Sequence, residues 1–196
     1  MSDAPDSDRG QYVSRGGIKL AAALDRFGID PAGWVCADFG SHVGGFVDVL
    51  LRRGAARVFA VDTGYGTLDY SLRRDARVVV LERRNALHTE PPAACRLVTI
   101  DVGWTRQALI LPAAARWLDA EGTIVSLVKP HYEAPAAWLR DGVLPSEHLQ
   151  EVVGNVLAGV ASAGLELLDR FPSPIPGHGG NAEVFIHVAR AASGSG

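Results

Sequence analysis

Residues 34–46 read W-V-C-A-D-F-G-S-H-V-G-G-F, and this stretch limits what the chain can fold into. It is apolar as far as Asp38, glycine-rich across the next turn, and apolar again from Phe46. A short run that is apolar on both faces is a strand of a buried parallel sheet. A tight loop and a helix must follow. Gly40, Gly44 and Gly45 let the backbone turn with positive φ and let a ligand approach it closely. The free N–H groups at the helix start then face something polar or anionic. The loop is therefore expected to hold a small cofactor with a nucleoside end.

The rest of the chain repeats the strand–helix alternation. A first helix is expected over 14–27, with Ser14 as N-cap and Leu20, Ala23, Leu24 and Phe27 on its buried face. Gly16 and Gly17 are poor helix formers, so the backbone there is expected to lie close to something. After the opening strand come a helix over 46–53 and a second strand ending at Asp62. An acid about 20 residues beyond a glycine loop, at the tip of the second strand, suits ribose hydroxyls. A short helix over 68–74 leads to a third strand ending near Glu82, with Arg83, Arg84 and Asn85 at its tip. A fourth strand ends at Asp101. A helix over 104–118 and a fifth strand ending at Lys129 follow, with Pro130 as a stop. A helix is expected over roughly 133–163, then a sixth strand at 165–171 and a last strand at 182–189, with Glu183 near its start. Only a Pro- and Gly-rich turn separates the last two strands, so they are expected to pair antiparallel.

This order predicts an α/β fold: a Rossmann-like, mainly parallel seven-stranded sheet with an antiparallel C-terminal hairpin and helices on both faces. A six-stranded parallel run plus such a hairpin is the pattern of class I methyltransferases. Ligands in open α/β sheets bind at the carboxyl ends of the strands. Asp38, Asp62, Asn85, Asp101 and Lys129 all fall at such ends. One domain is expected over 12–190, with a mobile polar segment at 1–11 and a flexible tail at 191–196.

Composition narrows the function. No apolar run is long enough to span a membrane, and the N-terminus lacks the pattern of a secretion signal. Cys36 and Cys95 are too few for a disulfide framework and lack metal-ligand spacing, so no metal is expected and the location is read as cytoplasmic. The formal net charge of −3 counts mildly against a stand-alone nucleic-acid binder. Of 19 lysines and arginines, only Lys19 and Lys129 are lysine. Arginine keeps its charge nearly everywhere, whereas lysine can lose its proton when buried or crowded. Taken alone the bias fits chance; taken with a site it suggests two places that need an amine.

Six stretches carry a family resemblance: Y-V-S-R-G-G-I-K-L, D-F-G-S-H-V-G-G-F, A-V-D-T-G-Y-G-T-L, V-V-V-L-E-R-R-N-A, V-K-P-H-Y-E and G-G-N-A-E-V-F-I. In this order, from Tyr12 to Val188, they resemble the FtsJ-like methyltransferases, most closely the TlyA (hemolysin-type) branch of rRNA 2′-O-methyltransferases. The resemblance implies S-adenosylmethionine as cofactor and RNA, in the form of rRNA or a ribosomal particle, as partner. It implies a Lys-Asp-Lys-Glu tetrad at Lys19, Asp101, Lys129 and Glu183, so both lysines of the chain are tetrad positions. It also implies a cofactor site of Asp38, Gly40, Ser41, Gly44, Gly45, Phe46, Asp62, Asn85 and Asp101. Gly44 and Phe46 would shape the methionine side, Asp62 would hold the ribose and Asn85 would lie beside the adenine. His42, in the cofactor loop, is read as a loop residue.

The chemistry fits these residue types. A ribose 2′-hydroxyl is a weak acid that must attack a methyl group in line. A lone lysine is protonated at neutral pH, and a second cation or desolvation lowers its pKa while carboxylates raise it. The expected assignment is Lys129 as base or orienting group, tuned by Lys19, Asp101 and Glu183.

The branch usually carries an N-terminal S4-type RNA-binding domain, and this chain is read as the catalytic domain without it, which suggests a separate RNA-binding partner. After Asp101 the chain has G-W-T-R where the branch usually has S-F-I-S. Trp104 there suits base stacking, or a place in the core or an interface. The pairs Arg52-Arg53, Arg73-Arg74 and Arg83-Arg84 are solvated faces unless they gather at the cleft. One rival is a non-catalytic cofactor- or RNA-binding module of the same fold. Another is an NAD(P)-dependent oxidoreductase, which G-S-H-V-G-G does not fit as G-x-G-x-x-G. Nothing supports a pore-former.

Overall fold

The computed structural model describes residues 11–191. The expectations of a mobile N-terminal segment and a flexible tail fall almost wholly outside those residues. The elements in chain order are α1 (Gly16–Phe27), β1 (Val35–Phe39), α2 (Gly45–Arg52), β2 (Arg57–Asp62), α3 (Tyr70–Arg73), β3 (Val78–Glu82) and β4 (Cys95–Ile100). They continue with α4 (Gln107–Ala115), β5 (Leu118–Val128), α5 (Pro130–Glu133), α6 (Ser146–Val160), β6 (Leu165–Pro172) and β7 (Val184–Arg190).

The seven strands form one sheet in the order β3-β2-β1-β4-β5-β7-β6. Strand side chains alternate between faces, and this alternation divides the core in two. Cys36, Val58, Leu97 and Val125 pack with Leu20, Leu24 and Leu50 of α1 and α2. Ala37, Phe59, Val98 and Ile124 pack on the other face with Ile110 and Leu111 of α4 and Val160 of α6. The central strands are mostly apolar because both faces are covered, with Asp38, Thr99 and Ser126 as buried polar exceptions.

Four details differ from the sequence expectation. The parallel ladder has five strands, β3 to β5. β7 inserts between β5 and β6 and runs antiparallel to both, so β6 shares the direction of the parallel strands but bonds only to β7. Ser14 is not the cap of α1: Arg15 precedes the helix, no side chain caps it, and the Ser14 carbonyl accepts the Gly17 N–H. The span 133–163 is not one helix. Pro135 and Pro145 lie outside the α region, and regular α6 starts only after Pro145. The helix expected from Trp104 begins at Gln107, and Trp104 lies in the preceding loop with φ 62°.

Candidate active site

Parallel strands end on one edge, and this edge gathers the site. Asp38 is the penultimate residue of β1, Asp62 ends β2, Asn85 follows β3, Asp101 follows β4 and Lys129 follows β5. Because β7 runs the other way, its beginning lies at the same edge, which is why Glu183, one residue before β7, belongs there. Lys19 comes from the first turn of α1, which packs on α2 behind the glycine loop.

The four residues form two ion pairs. Lys19 Nζ donates to Glu183 Oε2 at 2.5 Å, with the two side chains 12% and 3% exposed. Gly177 closes over Glu183, since a Cβ at Gly177 would strike its carboxylate. Lys129 Nζ lies 2.6 Å from Asp101 Oδ1, and these side chains are 18% and 27% exposed. The angles of this second contact fall outside those of a hydrogen bond, so it is an ion pair alone.

Two adjoining pockets meet at Asp101, Gly40 and His42. One, of about 250 Å³, is lined by Lys19, Asp38, Ser41, Gly45 and Phe46, with Arg15 and His178 at its sides. The other, of about 450 Å³, is lined by Asp62, Asn85, Lys129, Arg84 and Trp104. Gly40 forms the floor that both share. Its φ is 83°, and a Cβ there would lie 2.5 Å from the Asp101 carbonyl oxygen. Only glycine satisfies both conditions. Gly45 has no positive φ; it matters because a Cβ would strike the Ser14 hydroxyl and the Gly17 N–H of α1. Gly44 and Glu183 line neither pocket. Gly44 has φ 105°, precedes α2 and faces Leu68 and Leu72.

Two carboxylates shape the electrostatics. Asp62 accepts the His42 N–H at 2.8 Å and the Gly64 N–H at 2.6 Å, which ties the β2 tip to the glycine loop. Asp38 is 1% exposed. Its Oδ1 accepts the Thr99 hydroxyl at 2.7 Å, and its buried Oδ2 has no partner. Burial pushes the Asp38 carboxyl up to about 8, against the Thr99 hydrogen bond and with help from the charges of Asp101 and Asp62. An unpaired buried carboxyl oxygen lining a pocket suits a polar ligand group.

Sequence reasoning placed Trp104 between two roles, and the structure excludes the core. Trp104 is 84% exposed and lies against Tyr132, ring centroids 4.5 Å apart. His131 lies 4.1 Å from Tyr132, its Nδ1 buried and unpaired. Burial, then the charges of Lys129 and His178, hold the His131 imidazole below its usual range. His178, Arg15 and Tyr132 were not singled out from sequence. His178 and Arg15 reach the cleft only through the fold of the 173–183 turn and the approach to α1. No group of three or more His, Cys, Asp or Glu suited to a metal occurs among the described residues. None of their helices is long and apolar enough to cross a membrane.

Comparisons with known proteins give the family and the fold. Residues 12–190 match the family model of the FtsJ-like methyltransferase. The chain is 42% identical over 188 residues to the 16S/23S rRNA (cytidine-2′-O)-methyltransferase TlyA of Mycobacterium tuberculosis, covering 92% of this chain and 69% of that protein. A solved structure from Streptococcus thermophilus, described as a hemolysin, superposes with a TM-score of 0.91 at 35% identity, covering 96% of this chain and 70% of that one. An S-adenosylmethionine dependent methyltransferase from Mesorhizobium loti shares the fold, with a TM-score of 0.65 at 15% identity over 86% of this chain and 96% of that one.

Proposed function

The chain belongs to the FtsJ-like methyltransferase family, and from that premise we propose that it transfers a methyl group from S-adenosylmethionine to a ribose 2′-hydroxyl of ribosomal RNA. The observation that carries this reading is the meeting of Lys19, Asp101, Lys129 and Glu183, as two ion pairs, beside the glycine loop. The pockets suit the cofactor. Asp62 and Asn85 would face the ribose and adenine from one pocket, while Asp38, Ser41, Gly45 and Phe46 would surround the methionine end in the other. The unpaired Asp38 oxygen leaves a buried polar atom for a polar group of such a ligand.

When bound, the cofactor supplies an electrophilic methyl group on a sulfonium. The chain's own part is to hold the acceptor oxygen and manage its proton. Lys129 lines the larger pocket beside Asp101, which both pockets share, and acts on the 2′-hydroxyl as base or orienting group. Asp101 fixes the Lys129 ammonium at contact distance and adds a negative charge beside the transfer centre. Lys19 and Glu183 form a second, more buried pair that stiffens the wall of the methionine pocket. The exposed Trp104–Tyr132 pair and Arg84 at the cleft support an RNA acceptor, since stacked rings and guanidinium groups suit bases and phosphates.

Calorimetry with S-adenosylmethionine tests the cofactor assignment. Saturable one-site binding that weakens in Asp62→Ala is expected; no binding to the wild-type chain overturns the reading. Binding without transfer to any RNA would favour the rival of a non-catalytic module.

A further inference from the structure

Three contacts run side by side between the segment after β4 and the segment after β5. Asp101 pairs with Lys129. Trp104 lies against Tyr132, the rings tilted by 32°. The Gln107 N–H donates to Glu133 Oε1 at 2.7 Å. The first two face the cleft. The third lies behind it, where Glu133 and Gln107 line a separate pocket between α4 and α6.

The third contact is unusual for a helix start. Arg106 precedes α4 and supplies no side-chain cap. The Glu133 carboxylate takes that part from across the fold, where negative charge at a helix N-terminus is favourable. Burial raises the Glu133 carboxyl, and the Gln107 N–H and the Arg106 guanidinium work against that rise. Gln107 is itself anchored, because its buried side-chain oxygen accepts the Ser126 hydroxyl of β5 at 2.8 Å. The bond therefore ties α5 to a rigid point. α5 is a single turn and is too short to hold its shape alone. A closed ring results: the chain runs from Asp101 to Gln107, crosses to Glu133, returns along α5 to Lys129, and closes on Asp101.

We propose that Glu133 is a positioning residue: by capping α4 it locks the 101–107 loop against α5 and holds Lys129 and Asp101 in contact. The proposal rests on the reaction assigned to that pair, and it adds a residue that touches neither pocket of the cleft. Lys129 and Asp101 are held at one end by their strands; without the Glu133 bond, the loop that follows Asp101 and the turn that follows Lys129 lose their hydrogen-bonded tie and keep the Trp104–Tyr132 contact.

The test compares four variants of the full chain. Glu133→Ala is expected to lower kcat about tenfold to a hundredfold, the scale of a small misplacement, with the dissociation constant for S-adenosylmethionine within about twofold, since Glu133 lines neither cleft pocket. Glu133→Gln restores kcat, because its side-chain carbonyl accepts the same N–H. Gln107→Pro removes only that N–H relative to Gln107→Ala, at a first helical position where proline is tolerated and after a residue already extended at φ −69°, ψ 149°. The proline variant should therefore lose kcat relative to the alanine variant. Amide exchange over 101–110 should quicken in Glu133→Ala and Gln107→Pro but not in Glu133→Gln. Wild-type kcat in Glu133→Ala overturns the proposal, as does a Glu133→Gln variant as impaired as Glu133→Ala. A parallel collapse of cofactor affinity and thermal stability in Glu133→Ala also overturns it. If the wild-type chain binds S-adenosylmethionine but labels no RNA, the proposed reaction fails, and the exchange contrast still decides whether Glu133 locks the loop.

Discussion

The two lysines of this chain are held in opposite ways. Lys19 and Glu183 meet at hydrogen-bond distance under a roof of Gly177, and both are nearly shut off from solvent. Lys129 and Asp101 meet 2.6 Å apart with more exposure, just past the ends of neighbouring parallel strands at the cleft. The closed pair has its mutual bond but little room to act on a substrate. The open pair is within reach of a substrate in the cleft. One pair is built as a wall and the other as a tool.

The largest effect separates the tool from the wall. Lys129→Ala is expected to lower the transfer rate about 10²- to 10⁴-fold, the usual share of a general acid or base, while calorimetric affinity for S-adenosylmethionine stays within a few-fold. A Lys129→Ala variant with full activity would break the comparison. Breaking the closed pair should act on folding instead. Glu183→Ala leaves the Lys19 ammonium buried without its partner and is expected to cost about 3 kcal/mol in urea unfolding. Asp101→Ala, at the more exposed pair, should cost less. Equal losses would remove the distinction between the pairs.

Trp104 sharpens the contrast on the open side. It is exposed, so Trp104→Ala should change stability by less than about 0.5 kcal/mol. If it stacks on a base, KM for RNA should rise roughly tenfold, within the range for one aromatic–base contact. Unchanged KM would assign it to another surface.

Asp38 tests the closed side through pH. Its carboxyl stays protonated up to about 8 in the folded chain but ionises near its ordinary value when unfolded. The folded state therefore binds more protons between those values, and stability falls as pH rises across that window. The slope from this group is at most about 1.4 kcal/mol per pH unit. Asp38→Asn, which mimics the protonated acid, should remove that slope in unfolding measurements at pH 5 to 8. An unchanged slope would locate the titration elsewhere.

The gathering of Asp38, Asp62, Asn85, Asp101 and Lys129 was legible in the sequence because parallel strands all end on one edge. A run of apolar residues closed by a polar one marks that edge directly. The two solitary lysines were legible only as a pattern of composition; nothing local showed that Lys19 would reach Glu183, 164 positions away. The long helix expected after Lys129 was misread because helical periodicity persists through a segment that Pro135 and Pro145 interrupt. Trp104 was placed in a helix for a similar reason. The first N–H of α4 is bonded to Glu133, a partner 26 residues on that no window around Trp104 contains. The insertion of β7 between β5 and β6 was likewise hidden, since a hairpin expectation says which strands pair but not which one takes the edge.

The most direct measurement of the central claim is transfer of a labelled methyl group from S-adenosylmethionine to ribosomal RNA, with the product nucleosides separated by mass. Label is expected on a ribose 2′-oxygen with the wild-type chain and almost none with Lys129→Ala. Label on a base, or equal labelling by the two proteins, would contradict it.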